Sequence, residues 1–324
     1  QTALESSESE GEDVGELASD SEGDNENTDP EAKKFFDDAP VQPCNTFAEM
    51  ALSRPLQRAI TAAGYTIPTP IQTVAIPVGL TGRDICGAAE TGSGKTAAFL
   101  IPIIERLLHR QSRRPATRVL ILLPTRELAL QCCAEAERLC KFLGDSIRAV
   151  AVVGGMPKAE QEAALRTRPE MVIATPGRLI DHLENTASFD LDAVDILVLD
   201  EADRMLEDGF ADELGEIVRQ CPRSRQTVLF SATMTEQVDA LVRLSLNRPV
   251  RLFLDPPGTI ARRLTQHFVR IRRESDRLAV LLAVARKVVE ADRKTILFLP
   301  TKDLCHRVAL IWRIAGLPAA VELH

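Results

Sequence analysis

Eight residues from Ala89 to Thr96, Ala-Glu-Thr-Gly-Ser-Gly-Lys-Thr, have the types and spacing of a phosphate cradle. Gly92 and Gly94 let the backbone turn tightly, so that successive N–H groups and the positive end of a following helix face one polyphosphate. In such a loop Lys95 reaches the β and γ phosphates and the Thr96 hydroxyl ligates Mg²⁺. The strict pattern has glycine where this chain has Ala89. A second group, Asp200-Glu201-Ala202-Asp203, follows the hydrophobic run Val194 to Leu199 with its embedded Asp195. Phosphoryl chemistry needs one carboxylate to hold hydrated Mg²⁺ and another to orient the attacking water. Asp200 suits the metal and Glu201 the water. Taken singly, the first motif favours a phosphate cradle over a glycine-rich surface turn, whereas the second favours an acidic helix start; in this order along one chain they read as phosphoryl transfer.

Such groups act only if a scaffold brings them together. The apolar run Asp84 to Ala88 before the loop and Ala97 to Ile101 after it give a strand, a loop and a helix start. Further short apolar runs recur at 119–123, 149–153, 171–174, 196–199 and 228–230, separated by stretches of helical pattern. Continuous apolar strands alternating with helices predict a parallel sheet covered on both faces, hence a doubly wound α/β fold. Several runs end in polar or glycine-bearing clusters, and ligands of such folds bind at the carboxyl ends of the strands. After Asp255-Pro256-Pro257-Gly258 the pattern restarts. A strand at 266–271, a helix at 276–289, a strand at 295–299, a helix at 303–314 and an apolar run at 317–321 predict about half of another α/β unit.

The chain of 324 residues suggests about two domains. Its net charge of −8 conceals a split: residues 1–40 hold two lysines against fourteen carboxylates, net −12, which leaves +4 on the rest. The acidic, serine-rich segment to residue 44 has the composition of disorder, with order expected from about Phe47. Ser7, Ser9, Ser19 and Ser21 each have an acid three residues on, as an acid-directed kinase requires. No run of about 18 apolar residues predicts a membrane span, and no secretory leader is visible. Seven scattered cysteines without a CxxC pair argue against zinc or a disulfide framework and for a reducing compartment. Cys132, Cys133 and Cys140 read as packing residues of one helix. His109, His182, His267 and His306 lack ligand spacing, and the arginines at 262, 263, 270, 272 and 273 read as a solvated face as readily as an RNA contact.

Upstream lies Gly64-Tyr65-Thr66-Ile67-Pro68-Thr69-Pro70-Ile71-Gln72, preceded by the isolated Phe47. With these segments the chain, from about Phe47 onward, resembles the DEAD-box RNA-dependent ATPases, and Ala89 is that family's own form of the loop. The resemblance implies ATP and Mg²⁺ as cofactors and a RecA-like first domain over 45–253. It implies a linker at 254–263 and an incomplete second RecA-like domain over 264–324. Tyr65 would stack on adenine and Gln72 pair with its edge, Phe47 completing that site. Glu90, Thr91, Gly92, Ser93, Gly94, Lys95 and Thr96 would hold the phosphates, Lys95 acting with Asp200 and Glu201 in the reaction. Pro124-Thr125-Arg126, Gly154-Gly155 and Thr175-Pro176-Gly177-Arg178 resemble the elements that grip an RNA backbone, where contacts to phosphate read no base. Ser231-Ala232-Thr233 resembles the segment whose hydroxyls bond the acidic motif, with Asp203 the expected partner, coupling hydrolysis to strand separation.

The phrases at 178–183, 225–230 and 247–251 look most like nucleolar members that assemble the large ribosomal subunit. The resemblance therefore implies a nuclear, nucleolar RNA helicase that meets pre-ribosomal particles and no membrane. The family's arginine-rich motif, which reaches the γ-phosphate from the second domain, does not follow Val321. On that ground this chain is expected to hold ATP yet hydrolyse it poorly. The alternative is a nucleotide- and RNA-binding fragment acting as a binding module. The adenine-reading segment disfavours a DNA-directed motor.

Overall fold

The computed structural model describes residues 35–37, 42–89, 92–110, 114–144, 147–253, 265–289 and 294–323. The chain divides into two compact units, residues 1–259 and 260–324. The acidic segment before residue 35, with its serines, and the linker at 254–263 lie outside the described residues.

The first unit is built on a seven-stranded parallel sheet: β1 Ile85–Ala88, β2 Val119–Leu122, β3 Ala149–Val152, β4 Met171–Ala174, β5 Ile196–Leu199, β6 Gln226–Ser231 and β7 Val250–Phe253. Their spatial order is β3-β4-β2-β5-β6-β1-β7, all neighbours parallel. Successive residues of a strand point to opposite faces, and here both faces are apolar. Ile85, Val119, Ile121, Ile173, Val198 and Phe230 enter one core; Cys86, Leu120, Leu122, Val172, Leu197 and Leu229 enter the other.

The first core is closed by α1 Arg54–Ala62, α2 Pro70–Thr81, α3 Lys95–Leu108 and α4 Arg126–Cys140. The second is closed by α5 Lys158–Arg166, α6 Pro176–Asn185, α7 Ala202–Glu207, α8 Ala211–Gln220 and α9 Glu236–Ser245. Chain order thus sorts the helices: those before residue 141 cover one face and those after 157 the other. This is the doubly wound α/β fold that the apolar runs predict, of the RecA-like kind that the family resemblance implies. Cys132, Cys133 and Cys140 lie on α4, packed in or against the first core, where burial raises their thiols.

Two parts of the first unit depart from expectation. Order is present upstream of Phe47: Phe35 and Phe36 pack against the second core, and Cys44 N–H donates to Thr73 O at 3.0 Å. Two adjacent aromatic rings have enough apolar surface to dock even beside an acidic run. β7, not foreseen as a strand, is an edge strand in which only Val250 and Leu252 are buried, so it lacks the continuous apolar signature.

In the second unit the helices form as expected, α10 Arg277–Val288 and α11 Lys302–Ile314. Trp312 is buried, its indole N–H donating to Pro318 O at 2.7 Å. The expected strands at 266–271 and 295–299 carry no sheet ladder, and Phe268 and Phe298 are about nine-tenths exposed. A parallel strand is stable only with a registered neighbour to take its backbone hydrogen bonds, and among the described residues of this unit none is supplied.

Candidate nucleotide and RNA site

The strand order sets the site. The phosphate loop follows β1, the acidic motif follows β5 and Ser231-Ala232-Thr233 ends β6, and these three strands are adjacent. The three candidate RNA elements follow β2, β3 and β4, which are adjacent as well. One carboxyl edge therefore carries two neighbouring triplets, divided between β2 and β5.

In the loop, Gly92 and Gly94 take φ of 85° and 93°, the left-handed region that side chains disfavour. Gly94 caps α3, and a Cβ there would lie 2.6 Å from Gln72 Nε2. Lys95 is buried and donates from Nζ to Ala89 O at 2.9 Å, so its ammonium is held inside the loop's curve. Thr96 occupies the second position of α3, half-buried beside it. Ser93 is half-buried within the loop, while Glu90 and Thr91 lie outside the described residues.

The adenine-side residues are tied to this loop. Gln72 is buried on α2, accepts from Thr69 N–H at 3.0 Å and donates to Gly94 O at 3.0 Å. It thus joins a helix start to the phosphate loop, a bond the sequence did not reveal. Tyr65 donates its hydroxyl to Glu135 Oε1 at 2.7 Å, and burial with the Glu135 contact raises its pKa to about 12. Phe47 is in the core with its ring 6.3 Å from that of Tyr65, edge to face. It buttresses Tyr65 from within the core, on the adenine side of the expected site. Glu135, an unremarked acid of α4, sets the tyrosine's orientation.

At the end of β5, Asp200 is buried; its N–H donates to Leu122 O and its Oδ1 accepts from Glu201 N–H at 3.0 Å. Burial pushes its carboxyl up to about 6, against the opposing charge of Lys95 and with added repulsion from Glu201 and Asp203. Glu201 holds φ 53°, ψ 49°, left-handed backbone in a non-glycine residue, with Arg204 Nη1 3.7 Å from its carboxylate. Such a conformation costs of order 1–3 kcal/mol and persists where the surroundings impose it. Here it turns the chain from strand into α7 and sets Glu201 beside Asp200 at the sheet's edge.

Among the described residues no three His, Cys, Asp or Glu side chains form a metal cluster. Mg²⁺ does not require one: it keeps waters, takes phosphate oxygens and needs only one or two protein carboxylates. A buried carboxyl whose ionised form is disfavoured, and which feels the charge of Lys95 in the phosphate loop, fits that donor set, because a cation would stabilise its charge.

Asp203 Oδ2 accepts three hydrogen bonds: from Ala232 N–H at 3.2 Å, Thr233 N–H at 2.9 Å and Thr233 Oγ1 at 2.9 Å. Ser231 does not join this clamp as expected; its hydroxyl donates to Thr233 O at 2.7 Å and bends the loop toward Asp203. One carboxylate oxygen thus bolts the acidic motif to the end of β6.

In the other triplet, Thr125 caps α4, its hydroxyl accepting from Leu128 N–H at 3.4 Å, between buried Pro124 and exposed Arg126. Gly155 has φ 74°, and a Cβ there would meet Arg126 Nη1 at 2.5 Å, so these two elements touch. Gln161, buried on α5, binds Val153 through both N–H and C=O and also Met156 O, pinning the Gly154-Gly155 turn. Thr175 and Pro176 open α6, with Gly177 exposed. Arg178 is paired with Asp181 at 3.0 Å, and Lys158 meets the other oxygen of Asp181 at 2.6 Å. Lys158 and then Arg178 hold the Asp181 carboxyl below its usual range. The cationic group expected of Arg178 alone is therefore a triad with net charge +1. Lys158 and Gln161 escaped sequence reading because a surface lysine and a helical glutamine have no motif spacing.

The edge so assembled sets a phosphate loop beside paired acids and a basic, glycine-bearing strip, the layout that the sequence resemblance implies. Comparison with known proteins agrees: the family described as DEAD/DEAH box helicase matches residues 69–241, and the chain belongs to it. The chain is 55% identical over 282 residues to DEAD-box ATP-dependent RNA helicase 28 of Oryza sativa subsp. japonica, covering 86% of this chain and 34% of that protein. It is 53% identical to ATP-dependent RNA helicase drs1 of Neurospora crassa, over 86% of this chain and 33% of the relative. Identity to drs1 of Schizosaccharomyces pombe is 51%, over 86% and 37%. The chain spans about a third of the length of these curated relatives.

Proposed function

We propose that this chain carries the nucleotide site and one of the RNA-binding surfaces of an ATP-dependent RNA helicase, acting in ribosome assembly in the nucleus, at the nucleolus. The observation that carries the reading is the division of one sheet edge into a nucleotide triplet, β5-β6-β1, and a backbone-gripping triplet, β3-β4-β2. The names of the relatives favour the enzyme over a mere binding module. Residues 45–253 form the first RecA-like domain, 254–263 a linker, and 264–324 belong to a second RecA-like domain.

In this reading Lys95, Thr96 and the loop N–H groups bind the phosphates of ATP, and Gln72 couples the adenine side to the loop through Gly94 O. Mg²⁺, when bound, neutralises phosphate charge and orients the γ-phosphate. Asp200 and Thr96 are the residues that would hold it. Glu201, set by its strained turn, positions the attacking water and accepts its proton. Thr125, Arg126, Gly154, Gly155, Thr175 and the Lys158–Asp181–Arg178 triad hold RNA phosphates without reading bases. Asp203 transmits the state of the acidic motif to the loop after β6.

The test is coupling between the two triplets. RNA binding to the chain, measured by anisotropy, is expected to strengthen with a non-hydrolysable ATP analogue and to weaken at least tenfold in Arg126→Ala. RNA affinity unaltered by that substitution would remove the assignment of the strip.

A further inference from the structure

The face of the edge strand β7 that looks away from the first core is covered by a short segment of the chain itself, Phe35-Phe36-Asp37. Asp37 N–H donates to Pro249 O at 3.0 Å, and its carboxylate lies 2.5 Å from Arg83 Nη2. The Arg251 guanidinium sits 3.5 Å from the Phe36 ring centroid and 5.8 Å from that of Phe253. Arg243 of α9 lies 5.8 Å from the Phe35 ring, and the two phenylalanines stand edge to face, 5.0 Å apart. Both rings pack against the second core, on the side of β7 where Arg251 and Phe253 are exposed.

Three features mark this as recognition and not incidental collapse. The segment is anchored by a backbone bond to Pro249 O at the start of β7, the strand that ends the sheet, and not by contact with the core alone. Arg83, Arg243 and Arg251 surround the place with positive charge, whereas the chain leading to Phe35 holds twelve carboxylates in its first 34 residues. Each of the three residues is read by a different contact: ring on Arg243, ring on Arg251, carboxylate on Arg83. A guanidinium over an aromatic face selects rings over aliphatic side chains.

We propose that this face is a docking site for a short peptide of two adjacent aromatic residues followed by a carboxylate, occupied in this chain by its own Phe35-Phe36-Asp37. The tether gives the internal segment a high effective concentration, so a peptide of the same chemistry from elsewhere binds only when that segment leaves.

The experiment uses the full chain with Phe35→Ala, Phe36→Ala and Asp37→Ala, which empties the site, and a labelled hexapeptide with the sequence of residues 33–38. Circular dichroism and nucleotide binding report that each variant is folded. Fluorescence anisotropy is expected to show saturable binding to the emptied chain, at least tenfold tighter than to the native chain. Adding Arg251→Ala to the emptied chain lowers peptide affinity at least tenfold, and a peptide with both phenylalanines replaced by alanine does not bind. Absence of peptide binding to a folded, emptied chain overturns the proposal. Equal binding to native and emptied chains overturns it too, as does indifference to Arg251→Ala.

Discussion

Asp200 shows how a single residue trades stability for function. Its carboxyl binds a proton more tightly in the folded chain, at about 6, than in the unfolded one, near 3.8. Between those values the folded state holds more protons, so stability falls as pH rises through about 4 to 6 and the full cost persists above. The shift corresponds to about 3 kcal/mol at most. Asp200→Asn removes the charge, so without nucleotide or Mg²⁺ at pH 7.5 it is expected to raise Tm, and at pH 4 to leave it nearly unchanged. Thermal denaturation at the two pH values in EDTA checks this; a lower Tm at pH 7.5 would show that the buried charge is compensated. Gly94→Ala acts oppositely, since it combines positive φ with a Cβ 2.6 Å from Gln72 Nε2. It should weaken ATP binding at least tenfold and lower stability by about 1–3 kcal/mol, read by titration and chemical denaturation. The residues of these motifs were legible because phosphate binding dictates their types. Their supports, Glu135 and Gln161, were not, since a hydrogen-bonding side chain can come from anywhere in the sequence that the fold brings near.

At the level of elements, the parallel strands were legible because burial on both faces leaves a continuous apolar run, as at Val119–Leu122 and Ile196–Leu199. β7 escaped because only one of its faces is buried, and α2 because Pro70, Pro77 and Gly79 break its helical pattern. The order of strands in space was not legible at all, yet it decides which motifs meet. The Asp203 clamp depends on β5 and β6 being neighbours. Asp203→Ala leaves Ala232 and Thr233 N–H without their acceptor. Hydrogen exchange at these two amides is expected to quicken at least tenfold while ATP affinity stays within a few fold. Unchanged exchange would mean the loop is held by other contacts.

For the molecule as a whole, charge and edge geometry set what it meets. The +4 balance after residue 40 and the strip of Arg126, Lys158 and Arg178 favour a polyanion, and contacts to phosphate alone read no sequence. Single-stranded RNAs of different base composition are therefore expected to bind within a few fold of one another. The logarithm of affinity should fall with log salt at a slope of about −0.7 per phosphate neutralised. Strong preference for one homopolymer, or affinity flat with salt, would contradict backbone recognition.

In the proposed reading, one sheet edge holds MgATP through Lys95. Titration of the chain with a fluorescent ATP analogue, with and without Mg²⁺, in native and Lys95→Ala forms tests it most directly. The expected result is one saturable, Mg²⁺-dependent site in the native chain and affinity at least tenfold lower in a Lys95→Ala chain that keeps its circular dichroism. Equal affinity in the two forms, or binding indifferent to Mg²⁺, would contradict it.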